Sequence, residues 1–303
     1  MVAAGPFQYR YCSIMPPAYD DDLRLAHVLA DAADSITMAR FKAVDLRVET
    51  KPDLTPVTDA DRAVEDAIRA TLSRVRPRDA VTGEEFGTTG RGSRRWVIDP
   101  IDGTKNFVRG VPVWATLIAL LDGDDVVAGV VAAPSLGRRW WGAAGAGAWT
   151  GKSLSMATPL RGSGVRHLAD ASLSYSDLGE WESHGRLRGF LDLYRSVWRT
   201  RAYGDFWSYM LVAEGAVDVA AEPEVALYDL AALAVIVEEA GGRFTALDGT
   251  PGPAGGSAVA TNGHLHNAVL ELLGRRDHDA DDAARPPGLY VVPETDLDPG
   301  ERR

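Results

Sequence analysis

From Arg78 to about residue 160 the chain runs through short apolar segments, "AVTGEE", "RRWVIDP", "WATLIALL" and "VVAGVVAAP", bounded by Gly, Pro and Asp. Segments of this kind read as strands. Two helical patterns precede them. In "DDLRLAHVLADAADSITMARFKAV", Leu23, Ala26, Leu29, Ala30, Ala33 and Ile36 recur near the helical period. In "DADRAVEDAIRATLSRV", a stripe through Ala63, Ala67, Ile68 and Leu72 predicts a second helix, capped by Thr58 or Asp59. Beyond residue 160, strands such as "ASLSYS", "DVAAEP" and "SAVAT" mix with helices such as "GDFWSYMLVAEGAV" and "DLAALAVIVEEAGG". This alternation lacks a steady βαβ rhythm, so the pattern predicts a layered α+β fold and excludes a TIM barrel.

The chain of 303 residues is long enough for one large domain or two packed halves. The expected folded domain spans 19–274, with halves at about 19–155 and 156–274. A flexible extension (1–18) and a charged, Pro-rich disordered tail (275–303) flank it. A net charge of -11 argues against nucleic acid as a partner, because phosphates must be met by Lys and Arg. It suits a cationic substrate, or an anionic one met through bound metal. A single cysteine, Cys12, forms no internal disulfide and no thiolate zinc site, which points to a reducing, cytoplasmic compartment. No apolar run reaches the length of a membrane span, and the first residues lack the pattern of a secretion signal.

The chemistry is concentrated in "RRWVIDPIDGTKNF". An apolar strand ends on Asp99, Pro100 stiffens the turn, and Asp102-Gly103-Thr104 opens a helix whose free N–H groups can seat an anion. Two carboxylates beside an anion seat repel it unless a divalent cation lies between, and Mg²⁺ is the hard ion that keeps waters and takes phosphate oxygens. In isolation, the better reading of the pair is Asp102 as a helix cap and Asp99 as a strand end. Three further acidic positions join them. "TGEEFG" places Glu84 and Glu85 after a strand, of which one reaches the cleft, since neighbours on a strand face opposite ways. "ALYDLAAL" places Asp229 in the first turn of an apolar helix, and Asp59 lies just ahead of the second helix. Each of the last two also reads as an ordinary cap. Lys51 is a candidate phosphate partner.

"WVIDPIDGTKNF", with "DLTPVTDAD", "GEE" and "YDLAALAVIVEEAGG" in the same order, resembles the motifs of the inositol monophosphatase family of Mg²⁺-dependent phosphatases over roughly residues 20 to 274. The resemblance implies an αβαβα sandwich, usually dimeric. It implies that Glu84, Asp99 and the carbonyl of Ile101 hold one Mg²⁺, and that Asp99, Asp102 and Asp229 hold a second. A weaker third ion lies near Glu84, with Asp59 acting through water. Thr104, hydrogen-bonded to Asp59, orients the attacking water, and Gly103 and Thr104 offer N–H groups to the phosphate. Tyr228 stands where the family usually has tryptophan, Phe86 replaces a small residue, and Lys105 takes a position often held by a hydroxyl.

For the leaving alcohol, Glu222 lies seven positions before Asp229, matching the family position that contacts it. In "AYGDFWSY", Asp205 beside Phe206 and Trp207 suits a cationic, flat-ringed substrate through charge pairing and stacking. The ensemble resembles the actinobacterial-type histidinol-phosphate phosphatases within the family, which implies hydrolysis of L-histidinol phosphate. The alternative is an inositol-phosphate phosphatase, in which Phe206 and Trp207 are core and Asp205 a cap. A catalytically dead phosphate binder is expected to have lost a metal ligand or Thr104, and this chain keeps them.

Overall fold

A computed structural model describes residues 19–52 and 55–277. The expected extension 1–18 and all but the first three residues of the expected tail lie outside the described residues. Arg275 is paired with Asp192, and Asp277 accepts from the Arg188 N–H, so the ordered contacts run slightly past residue 274.

The described residues begin with two helices, α1 (Asp20–Arg40) and α2 (Asp59–Val75), with a small hairpin of β1 (Val48–Thr50) and β2 (Pro56–Thr58) between them. There follow β3 (Ala80–Gly83), β4 (Gly87–Thr89), β5 (Arg94–Asp102), the short α3 (Thr104–Arg109), β6 (Ala115–Asp122), β7 (Asp125–Ala133), β8 (Arg138–Ala143), β9 (Gly147–Ser153) and β10 (Met156–Pro159). These strands form one sheet in the order β10-β9-β8-β7-β6-β5-β3-β4, antiparallel except between β3 and β5. The second half contributes β11 (Ser172–Ser174), α4 (Leu178–Ser183), α5 (Leu187–Ser196), β12 (Arg199–Arg201), α6 (Asp205–Ala213), β13 (Val219–Glu222), α7 (Leu227–Glu239), β14 (Arg243–Thr245), β15 (Ala258–Thr261) and α8 (His266–Leu273). Its sheet runs β12-β11-β13-β15-β14.

The large sheet is covered on both faces, which is why its strands read as nearly unbroken apolar runs. Successive side chains on a strand point to opposite sides. Trp96, Ile98, Ile118, Leu120, Val130 and Trp141 therefore pack on α1 and α2. Val97, Leu117, Ala119, Leu121, Val131 and Trp140 pack with α6 and α7. The other side of α6 and α7 meets the small sheet through Ala220, Phe244, Ala258 and Ala260. Leu173, Val219, Ala221 and Val259 face the opposite way, onto Trp181, Phe190, Leu193 and Val269 of α4, α5 and α8. The result is the five-layer αβαβα sandwich. α7 carries eight consecutive buried residues, Leu230 to Val237, because both of its sides are covered.

One helix is rotated relative to its sequence reading. The buried stripe of α2 is Ala60, Asp61, Val64, Glu65, Ile68 and Leu72, while Ala63 is exposed. Two acids thus turn inward where alanines were expected. Thr58 is the cap: its hydroxyl accepts from the Ala60 N–H, and Asp61 accepts from the Thr58 N–H at 2.8 Å, closing a reciprocal capping box.

Candidate active site

At strand periodicity, residues three apart face opposite sides, so Asp99 and Asp102 on a regular β5 would diverge. The pairing with β6 prevents this. Asp99 is opposite Leu117 and Asp102 opposite Ala115, so β5 spends one extra residue on this stretch as a bulge. The Thr116 hydroxyl ties the bulge down through the Pro100 carbonyl at 2.8 Å. Both aspartates then face the α7 side of the sheet, where Asp229 in the first turn of α7 meets them. One carboxylate oxygen from each of Asp99, Asp102 and Asp229 lies within 4.8 Å of the others, a group that could hold a metal ion.

Each carboxylate is aimed by backbone. Asp99 accepts from the Ile101 N–H at 2.9 Å, Asp102 from the Phe206 N–H at 2.7 Å, and Asp229 from the Ala226 N–H at 3.0 Å. Asp102 is thereby anchored to the start of α6, in the other half of the molecule. Gly103 sits at φ 82, a left-handed conformation that glycine adopts without strain, and it turns the chain from β5 into α3. Thr104 donates to the Ile101 carbonyl at 2.9 Å.

Glu84 follows β3, beside β5, and its position depends on a residue absent from the sequence reading. Glu65 of α2 is fully buried and accepts from the Glu85 N–H at 2.8 Å and the Phe86 N–H at 3.2 Å, while Arg69 pairs with it at 2.7 Å. A Cβ on Gly83 would stand 2.0 Å from the Glu65 carboxylate. Gly83→Ala is therefore expected to lower the unfolding free energy by about 2 kcal/mol in urea titration, since the Glu65 clamp must give way. Both glutamates meet the Lys51 ammonium, each at 2.6 Å, but only Glu84 also lines the cavity. Against the pull of burial, hydrogen bonds to Glu84 and Glu85 hold the Lys51 pKa above its usual range.

A cavity of about 250 Å³ collects Glu84, Asp99, Ile101, Asp102, Gly103, Thr104, Asp205, Glu222 and Asp229, with Lys105, Tyr209 and Tyr228 in its wall. One predicted residue is not there. Asp59 lies in a separate depression with Arg47, Glu49 and Arg62, and it pairs with Arg40 at 2.8 Å. The acid facing Thr104 is Asp61, whose Oδ1 is 3.4 Å from the Thr104 hydroxyl and which is 1% exposed. The expected Thr104–Asp59 pair is thus corrected to Thr104–Asp61. The first residue of α2 points outward, and the third turns in beneath α3. The Thr58-x-x-Asp61 spacing was the signal for this in the sequence.

The aromatic expectation also changes. Successive residues on a helix diverge by about 100°, so Phe206 is buried against Trp140 while Trp207 packs on Tyr203. The rings that line the cavity are Phe206, Tyr209 and Tyr228, of which Phe206 has no exposed surface.

The electrostatics are those of a receptor for cations. Burial, then Glu84, Asp102 and Asp229, raises Asp99 well above the usual carboxylate range. Burial and then Asp205 raise Asp102, and burial and then Glu84 lift Asp229 to about 7. Among the described residues, no Lys, Arg or His forms an ion pair with these three aspartates. Buried like charges persist together only where something positive offsets them. An all-oxygen donor set of carboxylates plus the Ile101 carbonyl fits Mg²⁺ in hardness.

Fold and site together define a class: a five-layer sandwich with an acidic, cation-receiving cavity between its two sheets. The chain belongs to the inositol monophosphatase family, whose model matches residues 19–278. It is 65% identical to a histidinol-phosphatase of Streptomyces coelicolor over 86% of this chain and 99% of that protein. It is 61% identical to a histidinol-phosphatase of Mycobacterium tuberculosis over 84% of this chain and 98% of that one. Among solved structures, an inositol monophosphatase from Zymomonas mobilis matches with a TM-score of 0.76 and 33% identity, covering 86% of this chain and 100% of that chain.

Proposed function

We propose that the protein is a Mg²⁺-dependent phosphomonoesterase that hydrolyses L-histidinol phosphate to L-histidinol and phosphate. The observation that carries this reading is the surplus of acid in one cavity. Six carboxylates line it, those of Glu84, Asp99, Asp102, Asp205, Glu222 and Asp229. Asp205 and Glu222 fall outside the Asp99–Asp102–Asp229 group, hydrogen-bonded to Asn106 and Ser176 respectively, and make no ion pair among the described residues. Such acids suit a leaving alcohol that is itself cationic, as histidinol is with its ammonium and imidazole. The two histidinol-phosphatases above, at 65% and 61% identity, support the same substrate.

In this reading Glu84, Asp99 and the Ile101 carbonyl hold one Mg²⁺. Asp99, Asp102 and Asp229 hold the second, and a weaker third lies near Glu84. When bound, the ions neutralise the phosphoryl oxygens and lower the pKa of the attacking water. Thr104 orients that water through its hydroxyl, and Asp61 behind it accepts the proton. Gly103 and Thr104 present backbone N–H groups to the phosphate, with Lys105 nearby. Glu222 and Asp205 receive the alcohol. Phosphoryl transfer asks mainly for positioning and charge neutralisation, so no protein nucleophile is needed. Family resemblance and the exposed Trp198 next to edge strand β12 support a homodimer, and the single cysteine fits action in the reducing cytoplasm.

The test is Mg²⁺-dependent phosphate release from L-histidinol phosphate and from inositol 1-phosphate. The former should have the higher kcat/KM, and a ratio at or below one would transfer the assignment to the inositol ester. Asp205→Ala should raise KM for histidinol phosphate about tenfold or more, the size of a lost charge-assisted hydrogen bond. An equal rise for the uncharged alcohol would show that Asp205 does not read the cation.

A further inference from the structure

The two carboxylates assigned to the alcohol are held unlike the metal-facing ones. Glu222 is 9% exposed, and each of its oxygens takes a hydrogen bond from a side-chain hydroxyl: Ser176 donates to Oε1 and Tyr209 to Oε2. Tyr209 is 1% exposed and lies on α6, one turn beyond Asp205. Asn106 of α3 donates to Asp205 Oδ2 at 3.0 Å and to the Val113 carbonyl at 2.9 Å, so its amide is fixed at both hydrogens. The Ser176 hydroxyl also accepts from the Asp205 N–H at 3.1 Å, linking the two acids through one side chain.

The backbone of Asp205 adds a second kind of observation. Its φ is +47, left-handed for a residue with a side chain, immediately after Gly204 at φ +77. Such a conformation is disfavoured for a residue with a Cβ and persists where surrounding contacts over-determine it. Here the contacts are Ser176 on the Asp205 N–H, Asn106 on its carboxylate, and Asp102 on the next N–H. The strained turn keeps the Asp205 carboxylate over α3 instead of releasing it as a solvated helix cap.

We propose that Tyr209, Ser176 and Asn106 are positioning residues that fix Glu222 and Asp205 as two separate acceptors, so that the site selects a leaving alcohol bearing two donor groups, at least one of them cationic. Hydroxyl donors on both Glu222 oxygens favour its ionised form, in opposition to the burial that pushes its pKa up to about 7. Asp205 keeps Oδ1 for a ligand, while Asn106 occupies Oδ2. An alcohol whose donors are all neutral can hydrogen-bond these acceptors but leaves both buried carboxylates without a positive partner in the cavity, which is how a charged polar site rejects an analogue. The inference rests on the cationic-alcohol reading above and adds residues and a two-point geometry to it.

Tyr209→Phe removes one donor at nearly constant volume. Steady-state kinetics on the Mg²⁺-loaded enzyme with L-histidinol phosphate and inositol 1-phosphate, together with a thermal melt, test the proposal. Expected is a KM for histidinol phosphate about tenfold higher with kcat changed far less, so that the preference between the two esters falls by about tenfold. Calorimetric titration with L-histidinol should show the same loss of affinity. Should the melt show a misfolded variant, Ser176→Ala carries the same readout from a half-buried position. A preference unchanged in a folded variant, or lost equally for both esters, overturns the positioning role. The wild-type preference is a separate arm: if it is absent, the substrate reading fails, whatever the variants do.

Discussion

Asp99→Asn should reduce Mg²⁺-dependent phosphate release by about a thousandfold or more, the several kcal/mol that metal-ion stabilisation of a phosphoryl transition state supplies. The same variant should fold, and without metal it should melt at a higher temperature than the wild type. Both expectations come from one geometry. Asp99 is 1% exposed and shares its cavity wall with Asp102 and Asp229, with no cation paired to the three among the described residues. An asparagine keeps the shape and can still accept from the Ile101 N–H, but it removes one of several mutually repelling buried charges. Mg²⁺ should raise the melting temperature of the wild type far more than that of the variant, because a ligand stabilises only the state that binds it. A variant with near-normal turnover would remove Asp99 from the metal seat. A metal-free variant that melts lower would show that the aspartate is a structural anchor.

The second large effect separates two aspartates that are only two residues apart. Asp61→Asn should lower kcat by about a hundredfold to ten-thousandfold, the range for loss of a general base, with KM little changed. Asp59→Asn should leave kcat within about twofold of wild type and cost at most about 1 kcal/mol of stability, as for a partly exposed ion pair. Asp61 lies behind Thr104, held by the Thr58 N–H, whereas Asp59 faces Arg40 and Arg47 outside the cavity. Parallel kcat measurements decide the matter, with urea unfolding as the control. A dead Asp59 variant beside an active Asp61 variant would return the role to Asp59. Isosteric neutralisation should leave the capping box in place, since an amide oxygen can also accept from the Thr58 N–H.

The Asp59–Asp61 correction shows where pattern reading stops. A helical stripe drawn through Ala63 and Ala67 assumes that alanine goes inward and acids outward. In α2 the sheet side carries Asp61 and Glu65, because each accepts from backbone donors of a neighbouring turn: Thr58 for the first, Glu85 and Phe86 for the second. Composition cannot distinguish a solvated acid from one that clamps a neighbouring turn. The residues proposed to position Glu222 and Asp205 were hidden for a similar reason. Ser176, Tyr209 and Asn106 come from β11–α4, α6 and α3, and nothing in their local sequence announces that they converge on Glu222 and Asp205.

Other features were legible because they depend on local chemistry. Apolar strands closed by Gly, Pro and Asp marked the large sheet, and apolar stripes and runs at helical length marked α1 and α7. The motif residues Glu84, Asp99, Ile101, Asp102, Gly103, Thr104 and Asp229 were recognisable in order, and all of them line one cavity.

Spacing and residue type in the chain thus settled the layered α+β class and the acids available for a cation. Which of those acids share a wall was decided by tertiary structure alone. Asp99 and Asp102 face one way only because pairing with β6 forces an extra residue into β5, and Asp102 is aimed by an N–H from α6, some hundred residues away. A carboxylate's direction is set by the backbone groups packed against it, and those are brought together only when the two sheets close around α6 and α7.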